Sequence, residues 1–202
     1  MISVQEHHRL VQAIRDAEAM TAGEIIVVVA RSASRYRLIP ALWALTAALL
    51  APWPLIAFTR LGPTRIFLIQ LAIAAGLSLV FAWPRIHTAL VPGFVKKARA
   101  REAAMREFIG RGLTRTRRRT GILIYVAALE HHAEIIADIG IADRAGPQVW
   151  QKIIADLTAA IGEGRPGDGL VHAVERAGAI LAEHVPPSFD DDDELPNKVI
   201  FL

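Results

Sequence analysis

Two stretches of the chain run without a charge, and they dominate its hydrophobic pattern. Leu38 to Thr59 is 22 residues long and Ile66 to Pro84 is 19. A helix rises about 1.5 Å per residue, so each is long enough to cross a hydrocarbon core about 30 Å thick. Between them lies a short Gly-Pro turn, Arg60 to Arg65. The pattern predicts a helical hairpin through a membrane. Pro52 and Pro54 should interrupt the first span. Trp83 and Pro84 fall where an interfacial anchor is expected.

Outside this hairpin the pattern alternates between helical and strand periods. Ser3 and Glu6 fit a capping box, and Leu10, Val11, Ile14 and Ala17 follow at helical spacing, with Gly23 as the expected stop. Ile25 to Val29 is a β-branched run, read as a strand buried on both faces. After the hairpin, Phe94, Ala98, Met105, Phe108 and Ile109 suggest the core face of an amphipathic helix ending near Gly110 or Gly112. Gly121 to Ala127 is a second strand. Leu129 to His132 is a turn, and Ala133 to Ile139 is a third strand antiparallel to the second. Pro147 opens a helix with a stripe of Val149, Trp150, Ile153, Ile154, Leu157 and Ile161. Gly162 to Gly169 breaks it, with Asp168 near the next start. A last helix carries Leu170, Val171, Val174, Ala177, Leu181 and Val185 and ends at Pro186-Pro187.

The long connection between the first two strands contains a helix, so they should be parallel and the crossover right-handed. The expected architecture is a mixed-sheet α/β sandwich interrupted by a two-helix transmembrane hairpin. Residues 1–34 supply its first helix and strand, 35–90 the hairpin, 91–185 the rest of the domain and 186–202 an acidic tail.

Composition sharpens this picture. The chain has 202 residues, 53% of them hydrophobic, with mean hydropathy +0.35, net charge +3 and no cysteine. That excludes a disordered chain, a disulfide scaffold and any thiolate site. Removing residues 38–84 leaves 155, enough for one domain with its own core. The first 20 residues carry Glu6, Arg9, Arg15, Asp16 and Glu18 and no apolar stretch, so no cleavable leader is expected and the hairpin itself should direct insertion. Arg31, Arg35, Arg37, Arg85, Lys96, Lys97, Arg99 and Arg101 flank the outer ends of the hairpin, against Arg60 and Arg65 at its tip. The charge asymmetry predicts an inner, cytoplasmic membrane protein with both termini in the cytoplasm. Because the first strand ends only a few residues before the first span, the C-terminal ends of the parallel strands should face the bilayer.

Residues 96–119 hold ten Lys or Arg and two Glu. Few aromatics accompany them, which argues against nucleic acid. Lys96, Lys97, Arg99 and Arg101 instead suit anionic lipid headgroups. The Gly-rich stretch lacks the Lys-Ser/Thr ending of a phosphate loop. His7-His8 and His131-His132 are sequence neighbours, which diverge by about 100° on a helix, and both pairs read as surface residues. Asp190 to Glu194 lacks the spacing of a calcium-binding loop and reads as a solvated acidic link. Glu24, Asp138 and Asp143 are the candidate site. The strand order brings Glu24, Thr120 and Asp138 to one edge of the sheet, with Asp143 in the adjoining loop. Hard cations such as Ca²⁺ or Mg²⁺ take oxygen ligands of this kind. The competing reading is ion pairing with Arg117, Arg118, Arg119 or Arg144.

The ordered set Thr21-Ala-Gly-Glu-Ile-Ile-Val-Val-Val29, Arg119-Thr-Gly-Ile-Leu-Ile-Tyr-Val126, Ala133-Glu-Ile-Ile-Ala-Asp-Ile-Gly-Ile141, Trp150, Gly167-Asp-Gly-Leu170 and Asp193-Glu-Leu-Pro-Asn197 resembles the TPM-domain family, also labelled the TPM phosphatase domain. The likeness is to its bacterial membrane-anchored branch. It implies a cytoplasmic α/β module that interacts with membrane-protein partners in assembly or maintenance, or, as the alternative, a metal-dependent phosphatase. Many relatives have Asp-Asn-Gly entering the second strand. This chain has Arg119-Thr120-Gly121, one acid fewer at the edge where the resemblance implies a metal or catalytic group.

Overall fold

The computed structural model describes residues 2–34, 38–81, 83, 91–187 and 199–202. Arg35, Arg37, Pro84, Arg85, the Asp190–Glu194 run and the Asp193–Asn197 motif lie outside the described residues. The chain divides into two compact units, residues 1–33 with 97–202, and residues 34–96.

The first unit is an α/β sandwich. Helix α1 (Val4–Glu18) begins with the predicted capping box: Ser3 Oγ accepts the Glu6 N–H at 3.2 Å, and the Glu6 carboxylate accepts the Ser3 N–H at 2.7 Å. That amide, with the Ser3 hydroxyl, holds the Glu6 carboxyl below its ordinary range. The helix stops at Glu18, before Gly23, because Thr21 is recruited elsewhere: its hydroxyl donates to the Val185 carbonyl at 2.6 Å, and the Ala22 N–H joins it at 3.1 Å. Strand β1 (Ile25–Ala30) follows. The chain returns from residues 34–96 into a helix spanning Gly93–Gly110, numbered α5 below, and a 3₁₀ turn, Leu113–Arg115.

Strand β2 (Ile122–Ala127) lies parallel to β1, pairing Ile25 with Ile122, and β3 (His132–Ala137) lies antiparallel to β2, pairing Ile122 with Ala137. Both orientations were expected. Two elements were not. Helix α6 (Ile139–Ala145) starts where the third strand was expected to end, and β4 (Val199–Phe201) adds a parallel strand beside β1 where only a tail was expected. Helices α7 (Pro147–Gly162) and α8 (Pro166–His184) complete the unit, and the sheet order is β3-β2-β1-β4.

The two faces of the sheet carry separate cores. On one, Ile25, Val27, Ile122, Ile124 and Val126 pack with Leu10 and Ile14 of α1, Ile153 and Leu157 of α7, and Leu170, Val174 and Leu181 of α8. On the other, Ile26, Val28, Leu123 and Tyr125 meet α5 through Ala100, Ala103, Ala104 and Phe108. This corrects the expected face of α5. Phe94 and Ile109 are 75% and 58% exposed, Ala98 is exposed and Met105 is 40% exposed. Alanines at the buried positions let the helix backbone lie close to the sheet, and this packing outweighs the larger side chains.

Helices α1 and α8 touch at Gly178. A Cβ there would stand 2.5 Å from Cβ of Ala17. Gly178→Val is therefore expected to cost about 1–3 kcal/mol or more through overpacking, read as a lower thermal midpoint. Tyr125 is 2% exposed, and burial, with the carboxylates of Glu130 and Glu107, pushes its phenol up to about 12. An unfolded tyrosine ionises near pH 10. The neutral form is thus favoured in the fold, and this contribution is present below about pH 10 and lost between about 10 and 12. Urea midpoints measured across that range should fall more steeply for the natural chain than for Tyr125→Phe.

The second unit contains α2 (Leu38–Leu50), α3 (Pro52–Phe58) and α4 (Pro63–Phe81). The interruption expected at the prolines is present at Ala51, which separates α2 from α3. Two runs, Pro40–Phe58 and Pro63–Phe81, are long and apolar enough to cross a membrane. Helices α2 and α4 pack together, and among the described residues of α2 the buried positions are Pro40, Ala44 and Ala48, four residues apart. Small side chains at that spacing allow close helix approach.

Candidate functional site

The expected edge of the sheet forms through backbone hydrogen bonds. The Ile122 N–H donates to the Glu24 carbonyl at 2.7 Å, and the Asp138 N–H donates to the Gly121 carbonyl at 2.9 Å. Glu24, Gly121 and Asp138 therefore stand side by side on three adjacent strands. At about 4.8 Å per strand, Glu24 and Asp138 are roughly 10 Å apart across the sheet, backbone to backbone. The Thr120 hydroxyl joins the same edge, donating to the Ala22 carbonyl at 3.3 Å.

Asp138 is the centre of this edge. It is buried, and Arg119 clamps its carboxylate from two nitrogens, Nε to Oδ2 at 2.6 Å and Nη2 to Oδ1 at 2.9 Å. The same Oδ1 accepts the Ile139 N–H at 2.8 Å, so Asp138 is also the N-cap of α6. This bidentate pairing keeps Arg119 charged, raising its pKa above the ordinary arginine value. Arg119 sits in the left-handed region with φ 57°, a conformation that costs a side-chain-bearing residue energy. Its carbonyl accepts the Gly140 N–H at 2.8 Å. A Cβ on Gly140 would collide with the backbone carbonyls of Arg118 and Arg119. Gly140 is thus the residue that lets α6 close against the loop. The sequence offered a signal for it, a glycine two residues after an aspartate at the end of a strand pattern.

The three candidate acids do not converge. Glu24 is buried and not free of partners, and Asp143 is exposed on α6, not in a loop. Among the described residues, no three His, Asp or Glu side chains are grouped to hold a metal ion. A guanidinium on both oxygens of Asp138 is also a poor neighbour for Ca²⁺ or Mg²⁺. The local chemistry fits an ion pair and a helix cap better than a hard-cation site.

The basic segment is only partly free. Glu102 bridges Arg99 at 2.7 Å and Arg106 at 2.9 Å, Glu107 holds Arg111 at 2.6 Å, and Arg101 reaches Glu134 of β3 at 3.5 Å. Lys97 is exposed and Lys96 half-buried. His132 contacts Glu134 at 3.2 Å, and His131 occupies a left-handed turn position. Asp168 falls in the first turn of α8 as expected and pairs with Arg9 at 3.1 Å. A groove of about 400 Å³ between α7 and α8 went unforeseen. Leu157, Ala160 and Gly169 line it, along with Asp156, His172 and Arg176.

This arrangement of helices and sheet has a counterpart of known structure. The NMR structure of the BA42 protein from the psychrophilic bacterium Bizionia argentinensis superposes with a TM-score of 0.62, at 24% identity, over 100% of this chain and 95% of that one. The two share a fold. No family model matches the chain, and no curated protein matches it.

Proposed function

We propose that this chain is a membrane-anchored TPM-domain protein that presents its α/β unit to membrane-protein partners on the cytoplasmic side, in assembly or maintenance. The observation that carries the reading is the exposed apolar surface of α2, α3 and α4. Leu42, Leu49, Trp53, Phe58, Phe67 and Leu79 each expose more than half of their surface. The two candidate spans are 11% and 0% buried, so they lack the burial of a soluble core helix. Apolar surface on this scale is tolerated where lipid or another protein covers it. The basic residues flanking the hairpin support a cytoplasmic location of both ends.

A metal-dependent phosphatase would need carboxylates available to a cation. The pairing of Asp138 with Arg119 favours the interaction reading over that one. The test is fractionation of cells expressing the full chain. The protein should stay in the membrane pellet after extraction at alkaline pH, and a periplasm-dependent reporter should be active when inserted at Gly62 and inactive when fused after Leu202. Recovery in the soluble fraction would refute the anchor, and the reverse reporter pattern would refute the topology.

A further inference from the structure

We infer that the C-terminal edge of the sheet is itself a lipid-contacting surface, seated in the headgroup region through Leu129, Phe201 and Leu202 with Arg31 among them. This rests on the membrane reading above and extends it to the α/β unit.

The surface is built by one row of hydrogen bonds beyond the strand ends. The Arg31 N–H donates to the Leu202 carbonyl at 2.8 Å, and the Leu129 N–H donates to the Arg31 carbonyl at 3.0 Å. Leu202, Arg31 and Leu129 are thereby held abreast on the extensions of β4, β1 and β2. Phe201, Leu202 and Leu129 are 52%, 56% and 37% exposed, and Arg31 is exposed between them. Apolar side chains interleaved with a cation, on a rigid edge, match the chemistry of an anionic bilayer surface.

Chain continuity selects lipid over a protein partner. The α/β unit gives way to the apolar segment after Ala33, three residues beyond the end of β1. That exit is clamped: the buried Glu130 carboxylate accepts the Ser32 hydroxyl at 2.8 Å and the Ala33 N–H at 3.0 Å. The chain re-enters at Lys97, also toward this edge. The direction of α5 shows it, since Arg101 reaches Glu134 while Leu113, beyond the helix end, lies against Gly121 at the opposite edge. Exposed Lys97 thus adds a second cation toward this edge. At the opposite edge the exposed Ile139 stands among Arg118, Arg119 and Asp143, a charged setting suited to water.

The chain has no native cysteine, which makes site-directed spin labelling direct. Single variants Leu129→Cys, Leu202→Cys, Arg118→Cys and Leu71→Cys of the full chain would carry a nitroxide in vesicles of phosphatidylcholine and phosphatidylglycerol. Collision rates with oxygen, which concentrates in lipid, and with a water-soluble nickel chelate report depth. Oxygen-favoured collisions are expected at 129 and 202, shallower than at 71, with nickel-favoured collisions at 118. Nickel-favoured collisions at 129 and 202 alongside a lipid signature at 71 would overturn the inference and leave the anchor intact. Shielding of 129 and 202 from both reagents would show protein cover and overturn it equally. A nickel-favoured pattern at all four positions would remove the membrane reading itself.

Discussion

Replacing residues 34–96 with a short Gly-Ser linker is expected to move the protein from almost entirely membrane-bound to almost entirely soluble, with its α/β fold intact. The remaining residues, 1–33 and 97–202, form a compact unit with a core on each face of the sheet. The removed segment carries the exposed apolar run from Leu42 to Val80. Each large apolar side chain moved out of water contributes about 1.5–3 kcal/mol, so this segment alone outweighs any peripheral contact of the α/β unit with lipid. Ultracentrifugation of lysates and far-ultraviolet circular dichroism of the supernatant form are the measurements. A shortened chain that folds yet still pellets with membranes would mean that the hairpin is not the anchor. Natural chain found in the supernatant without detergent would mean the same.

The parts of the fold that were legible in the sequence are those in which local chemistry and global packing agree. Ile25–Val29 and Ile122–Ala127 read as continuous buried runs, the second interrupted in character only by Tyr125, because both faces of each strand are covered, by α1, α7 and α8 on one side and α5 on the other. The Ser3–Glu6 box and the Pro52 break are local signals, and both are present. What stayed hidden depended on distant partners. Val199-Ile-Phe201 is too short to announce a strand, and it becomes one only because β1 offers an open edge. Helix α6 is concealed because Ile135, Ile136, Ile139 and Ile141 continue the strand pattern past Asp138, and only the cap geometry ends it. The core face of α5 was misplaced because alanine scores weakly beside Phe94, Met105 and Ile109, although alanine is what the close helix–sheet contact requires. At the candidate site, the acids, the shared edge and an arginine partner were legible, whereas which of Arg117, Arg118, Arg119 and Arg144 would take Asp138 was not. That depends on Arg119 adopting a left-handed backbone, which no residue pattern announces.

That partnership yields the second large effect. Asp138→Ala is expected to lower stability by about 2–3 kcal/mol, since it removes an N-cap worth about 1–2 kcal/mol and the acceptor of two charge-assisted hydrogen bonds. In a chain of this size that corresponds to roughly 5–10 °C in thermal midpoint. Asp138→Asn can still accept the Ile139 N–H, so it should fall between the natural chain and Asp138→Ala. Gly140→Ala should be comparably harmful for a different reason, because its Cβ meets two backbone carbonyls that cannot rotate away. Calcium separates this account from a metal site. If Asp138 serves the ion pair and the cap, millimolar Ca²⁺ should leave the midpoint of the natural chain where it was. A cation bound at 100 times its dissociation constant would add about 2.7 kcal/mol to the folded state. A Ca²⁺-dependent rise of that order, abolished in Asp138→Asn, would show that the carboxylate exchanges Arg119 for metal and would restore the hydrolase reading.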